Sequence, residues 1–184
     1  MQRVVFLDRD GVINRDSPDY VKSWEEFHFL PGSLQALKLL KRSGFAAIVV
    51  TNQSAVNRNL LTESALQEMH RKMCDSVEEY GGSIEDIFYC PHRPEEGCLC
   101  RKPKPGLIEQ ARKRYRIALS DAWMVGDSVK DIECARNAGC RHAVLVRTGS
   151  GRPSERILME RKTPPDYVAE DLFGAVEWII GRRL

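Results

Sequence analysis

The sequence predicts an α/β fold, a doubly wound parallel sheet, and three observations predict it. Short, wholly apolar runs such as Val4 to Leu7, Ala46 to Val50, Ala122 to Val125 and Ala143 to Val146 suit strands covered on both faces. Segments with helical spacing separate them, as crossover connections require. Polar clusters follow the runs, and ligands gather at the carboxyl ends of strands in open parallel sheets.

The elements follow in order. Val4 to Leu7 is the first strand, with Asp8 at its carboxyl end. After a polar loop, Pro31-Gly32-Ser33 opens a helix with Ser33 as N-cap, Leu34, Leu37 and Leu40 on one face, and Gly44 as its stop. The strand Ala46 to Val50 comes next. Thr62 caps a helix bearing Leu66, Met69, Met73 and Val77, which Gly81-Gly82 ends before a short strand, Ile87 to Tyr89. Beyond Pro105 come a helix to about Tyr115, the strand Ala122 to Val125, a helix over Lys130 to Ala138 and the strand Ala143 to Val146. The polar, proline-punctuated stretch Thr148 to Pro165 reads as loop with at most a helical turn, before a last helix from Asp171 to Ile180.

A chain of 184 residues, 42% hydrophobic and 29% charged, suits one domain over residues 1–184 with its own core and no separate cap domain. The net charge of +2, spread along the chain, argues against a nucleic-acid partner. No apolar stretch reaches membrane-spanning length and the first is too short for a secretory signal, so a cytoplasmic location and a monomer are expected.

Four polar clusters carry the chemistry: Asp8-Arg9-Asp10-Gly11, Thr51-Asn52-Gln53-Ser54, Arg101-Lys102-Pro103 and Gly126-Asp127-Ser128. Asp8 and Asp10 lie two apart where a strand runs out, and carboxylates so close invite a divalent cation. A carboxylate attacks phosphorus only where the phosphate charge is offset, and a cation, an ammonium and backbone N–H groups together do that. One Asp-x-Asp alone is more often an ordinary loop pair; four such clusters in this order are not. Asp131, one turn beyond Asp127, reads equally as a contact for the metal or Lys102 and as a solvated first-turn acid.

Cys90, His92, Cys98 and Cys100 supply three sulfurs and one imidazole, a closed tetrahedral zinc set, with Pro91, Pro94 and Gly97 for the turns. A closed set is structural, and zinc there would hold the loop that aims Arg101 and Lys102. Cys74, Cys134 and Cys140 read as free thiols, and His28, His70 and His142 are assigned no role.

Together these motifs resemble the haloacid dehalogenase superfamily. The resemblance implies Asp8 as nucleophile and Asp10 as general acid and then base, with Thr51 and Lys102 on the phosphoryl oxygens and Mg²⁺ between Asp8, the Asp10 carbonyl and Asp127. Within it, Asp8 to Asn14, Thr51 to Ser54, the zinc set and Cys100 to Pro103 resemble the D-glycero-D-manno-heptose 1,7-bisphosphate 7-phosphatase family. That family's pattern implies substrate contacts from Asp16, Asp19, Asn52, Gln53, Ser54, Arg58 and Arg101, with a small phosphorylated metabolite as substrate.

The sequence departs from the pattern at Ala55 and Asn59, where glycine is usual, and at Ser128, where lysine is often found. Histidinol-phosphatases of the same branch typically have Asp where Ser54 stands, so Ser54 favours the heptose enzyme. Other classes are a DNA 3′-phosphatase, which the charge disfavours, and a non-catalytic zinc and magnesium module, which has no need of Asp8, Asp10, Thr51, Lys102 and Asp127 together.

Overall fold

The structure, a computed structural model, describes residues 3–182. Its strands are β1 (Arg3–Leu7), β2 (Phe45–Asn52), β3 (Asp86–Cys90), β4 (Trp123–Gly126), β5 (His142–Val146) and β6 (Tyr167–Ala169). They form one sheet in the order β3-β2-β1-β4-β5-β6, every pair parallel. The helices are α1 (Ser33–Arg42), α2 (Glu63–Glu79), α3 (Gly106–Tyr115), α4 (Val129–Ala138), α5 (Gly151–Glu160) and α6 (Leu172–Gly181).

The strand period of two divides the core. Val5 and Leu7 of β1 face α1, α2 and α6 through Leu37, Leu66, Met69 and Val176, all buried. Val4 and Phe6 face α3, α4 and α5 through Leu107, Ile132 and Leu158. Both faces are therefore covered, which is why the strands read as unbroken apolar runs. The chain winds outward from β1 in one direction and resumes at β4 in the other. The crevice between β1 and β4 is thus the switch point where such sheets open a ligand site, and Asp8 and Asp127 sit on either side of it.

Three expectations are corrected. Ser33 is not the N-cap of α1: Gly32 takes that place in a left-handed conformation (φ 81°), and the Ser33 hydroxyl donates to the Leu30 carbonyl at 2.9 Å. Thr148 to Pro165 holds more than a helical turn, because the ten-residue helix α5 occupies Gly151–Glu160. Pro153 lies in its first turn, where a missing N–H breaks no helical bond, and its buried face is made of Gly151, Ser154 and Leu158, too small to register as an apolar stripe. The three-residue edge strand β6 has no counterpart among the expected strands. Thr62 does cap α2, its side chain accepting from the Ala65 N–H at 3.2 Å.

Candidate active site

Asp8 continues β1 into the crevice, its N–H donating to the Val125 carbonyl of β4 at 3.0 Å. The chain then turns tightly through residues 9–14, with the N–H groups of Val12, Ile13 and Asn14 on the Arg9 carbonyl. Gly11 makes that turn at φ 81°, and a Cβ there would lie 2.1 Å from Asp127 Oδ2, so both backbone and space demand glycine. The turn carries Asp10 beside Asp8, with its carboxylate outside the group that Asp8 forms with Asp127 and Asp131.

Three side chains hold that carboxylate. Arg9 Nη2 donates to both oxygens at 2.9 and 3.0 Å, Asn14 Nδ2 to Oδ1 at 2.9 Å, and Gln53 Nε2 to Oδ2 at 2.8 Å. Burial would raise the Asp10 carboxyl, but the Arg9 charge and these donors outweigh it and hold it below the usual carboxylate range. Thr51, at the end of β2, is buried and accepts from Gln53 Nε2 at 2.9 Å.

Lys102 comes from the loop after β3, and Asn52 pins its backbone twice: the Lys102 N–H donates to Oδ1 at 3.0 Å, and Nδ2 donates to the Lys102 carbonyl at 3.2 Å. The ammonium lies 2.9 Å from Asp8 and 2.6 Å from Asp131. Burial alone would depress it, but the two carboxylates reverse the shift and keep it charged. Asp131 is therefore no solvated acid. It is wholly buried, sets Lys102 with one oxygen and caps α4 with the other, which accepts from the Ser128 N–H at 3.0 Å and hydroxyl at 2.6 Å.

Burial, with the like charges of Asp131 and Asp10 only partly offset by Lys102, pushes Asp8 up to about 7. Burial, with Asp131 and Asp8, pushes Asp127 up to about 8. Oxygens of Asp8, Asp127 and Asp131 lie within 4.8 Å of one another. Hard oxygen donors crowded against their own repulsion are a fit for a divalent cation, which relieves the cost of keeping them ionised. The carboxylate of Asp10 is not in this group, which leaves to its carbonyl any part it takes.

Cys90, the last residue of β3, converges with His92, Cys98 and Cys100 of the loop that follows. The Sγ atoms of Cys90 and Cys100 are 3.2 Å apart, and His92 Nδ1 lies 3.3 Å from Cys100 Sγ and 3.5 Å from Cys90 Sγ. Separations of about 3–4 Å are what four ligands on one zinc require, so the set fits that metal. Arg101 Nη1 donates to the His92 carbonyl at 3.0 Å, and Lys104 Nζ to the carbonyls of Gly97 and Cys98 at 3.0 and 2.6 Å. The loop is thereby locked to the residues flanking Lys102.

These elements enclose a cavity of about 320 Å³ lined by Asp8, Asp10, Thr51, Lys102 and Asp127. Of the expected substrate contacts, Asp16, Asn52, Gln53, Ser54 and Arg101 line it. Asp19 and Arg58 do not: both side chains are exposed outside its wall. Lys130 and Ser150 join the wall without having been singled out, and Ser128 joins it although it was not expected to touch substrate. Arg9, fully buried behind Asp10, and Asn14 were also missed; a charged residue between two aspartates reads as a loop residue until its partner is seen. Of the departures from the family pattern, Asn59 has φ 57°, a left-handed conformation that suits glycine and that asparagine tolerates. Ser128 is the N-cap of α4.

Comparison with known proteins agrees with this geometry. Residues 99–175 match the family model HAD-hydrolase-like. The chain is 45% identical over 148 residues to the D-glycero-beta-D-manno-heptose-1,7-bisphosphate 7-phosphatase of Pseudomonas aeruginosa, covering 80% of this chain and 83% of that one. It is 40% identical over 179 residues to the enzyme of that name from Bordetella bronchiseptica, covering 97% and 98%. The crystal structure of the B. bronchiseptica D,D-heptose 1,7-bisphosphate phosphatase, complexed with magnesium and phosphate, superimposes with a TM-score of 0.90 at 39% identity, covering 97% of this chain and 98% of that one. The chain belongs to the D-glycero-D-manno-heptose 1,7-bisphosphate 7-phosphatase family of HAD-like hydrolases.

Proposed function

We propose that this protein hydrolyses D-glycero-D-manno-heptose 1,7-bisphosphate at the 7-phosphate through an aspartyl-phosphate on Asp8. The observation that supports it most is the convergence of Asp8, Asp10, Thr51, Lys102 and Asp127 on one cavity, in a chain whose relatives carry that activity in their names. Asp8 attacks phosphorus, the bond to the sugar oxygen breaks, and Asp10 gives that oxygen its proton. Water then attacks the phosphorus and passes its proton to Asp10, releasing phosphate and restoring Asp8. Arg9 holds the Asp10 carboxyl low, and the negative charge of an incoming phosphate acts against that, raising the affinity of Asp10 for the proton it gives.

Thr51 and Lys102 hold the phosphoryl oxygens. Magnesium, when bound by Asp8, Asp127 and the Asp10 carbonyl, offsets the phosphate charge. Cys90, His92, Cys98 and Cys100 would hold a structural zinc that keeps Arg101 and Lys102 in place. Asp16, Asn52, Gln53, Ser54 and Arg101 line the same cavity and offer donors and acceptors to the sugar hydroxyls and the second phosphate. The whole chain acts as one domain, since one sheet carries both cores, and no described helix is long and apolar enough to cross a membrane. A monomer working in the cytoplasm fits this reading.

Phosphate release with Mg²⁺ from the heptose 1,7-bisphosphate and from histidinol phosphate tests it, alongside Asp8→Asn. We expect a preference for the bisphosphate of about tenfold or more, worth about 1.4 kcal/mol in transition-state binding, and loss of release in the variant. Activity surviving Asp8→Asn would overturn the mechanism, and a preference for histidinol phosphate would overturn the substrate.

A further inference from the structure

The hydrogen bonds behind Asp10 continue past Arg9 into α2. Arg9 is fully buried, and while Nε and Nη2 grip Asp10, Nη1 lies 3.1 Å from His70 Nε2 and 3.7 Å from Met69 Sδ. A guanidinium only donates, so His70 Nε2 accepts and the imidazole is neutral. His70 is itself 6% exposed and packs edge-on against Tyr89 at 5.8 Å. The Tyr89 hydroxyl donates to Glu63 at 2.5 Å, on the first turn of α2. The imidazole is thus held from behind and has one polar task at its front.

We propose that His70 is a positioning residue for the reaction: its Nε2 fixes the Arg9 guanidinium, which in turn fixes the Asp10 carboxylate for proton transfer. This rests on the reading of Asp10 as acid and base. The physical reason is the fork of Arg9. With Nε and Nη2 on Asp10 and Nη1 on His70 and the Met69 sulfur, the plane of the guanidinium is determined, and so is the orientation of the carboxylate it grips. Without the imidazole, Nη1 keeps only the Met69 sulfur, a weak acceptor, and the buried donor seeks a partner by turning. Proton transfer tolerates such turning poorly, because a small misplacement of a catalytic group costs rate steeply.

His70→Leu removes the acceptor at similar volume, and His70→Gln offers an amide oxygen near the position of Nε2. Two substrates separate positioning of Asp10 from general damage. The sugar bisphosphate needs a proton on its leaving oxygen; p-nitrophenyl phosphate does not, so its first-turnover burst of nitrophenolate reports attack by Asp8 alone. We expect His70→Leu to lower kcat on the bisphosphate by about tenfold or more, with KM changed by less than about twofold and the burst rate by less than about threefold. His70→Gln should recover most of that loss. The proposal is overturned if His70→Leu keeps the wild-type kcat, if its burst slows as much as bisphosphate turnover, or if His70→Gln does no better.

Should His70→Leu not fold, His70→Gln decides alone: a kcat within about threefold of wild type supports the acceptor role and a loss of about tenfold overturns it. Asp10→Asn in the same assays reads the underlying assignment. If it leaves bisphosphate turnover intact, the reading of Asp10 fails; if it abolishes turnover while His70→Leu does not, only the role of His70 fails.

Discussion

Lys102 stands between Asp8 and Asp131 with almost no exposure, so its charge has no solvent to fall back on. Lys102→Met would leave buried carboxylates without their cation, which costs about 3–5 kcal/mol where one partner of a buried pair is removed. That loss should be large in urea unfolding at pH 7.5 without Mg²⁺ and smaller at pH 5. At the lower pH, Asp8, already raised to about 7, is protonated and needs no partner, so of the two carboxylates on Lys102 only Asp131 loses its cation. A loss that grows on acidification would contradict the assignment. Phosphatase activity should be lost with the lysine at either pH.

Among the elements, the loop between β3 and α3 decides whether Lys102 arrives at the cavity. It has no regular structure beyond a single turn at Pro94–Glu96, and its internal restraint is the cluster Cys90, His92, Cys98 and Cys100 with the lysine and arginine contacts to its carbonyls. Cys100→Ser should lower the bound zinc measured by atomic absorption to well below one per chain. It should lower kcat by about tenfold or more while leaving the helical circular dichroism intact, since effects of this kind reach activity through the placement of a neighbouring residue. Full zinc content with normal kcat in that variant would remove the metal from the account. The helices around the site place the rest: α4 brings Asp131 under Lys102, and the N–H of Ser150, just before α5, donates to Asp127 at 2.7 Å.

At the scale of the whole molecule, pH couples the site to folding through the buried His70. Burial first, and the Arg9 charge second, push it down to about 3 from 6.5. The unfolded chain then binds a proton near pH 6.5 that the folded chain refuses until about pH 3. Stability from this group is complete above pH 6.5 and falls as pH drops through that window, by about 1.4 kcal/mol per pH unit. Asp8 and Asp127 act in the opposite direction, so the test is a difference: the stability of wild type should fall relative to His70→Gln between pH 6 and pH 4.5 in urea titrations. Parallel curves would show that His70 takes a proton in the folded state.

Much of this was legible in order and kind. The apolar runs named five of the six strands because a sheet covered on both faces leaves few polar positions in them, and the cluster of Cys90, His92, Cys98 and Cys100 was visible because its members are ten residues apart at most. That Asp8, Asp10, Thr51, Lys102 and Asp127 share one cavity was legible because Asp8, Asp10, Thr51 and Asp127 stand at or just past strand ends, and parallel strands end at one edge of the sheet. What the sequence did not determine depends on contacts between distant elements. The helix α5 hid behind small residues and a proline, Asp131 was undecided until its burial against Lys102 appeared, and Asp19 and Arg58 fell outside the cavity wall. The chain Asp10–Arg9–His70 joins residues 61 positions apart, and only folding brings a helix face against the back of a strand-end turn. Local chemistry is written in neighbouring residues, whereas burial, orientation and partnership are properties of the packed whole.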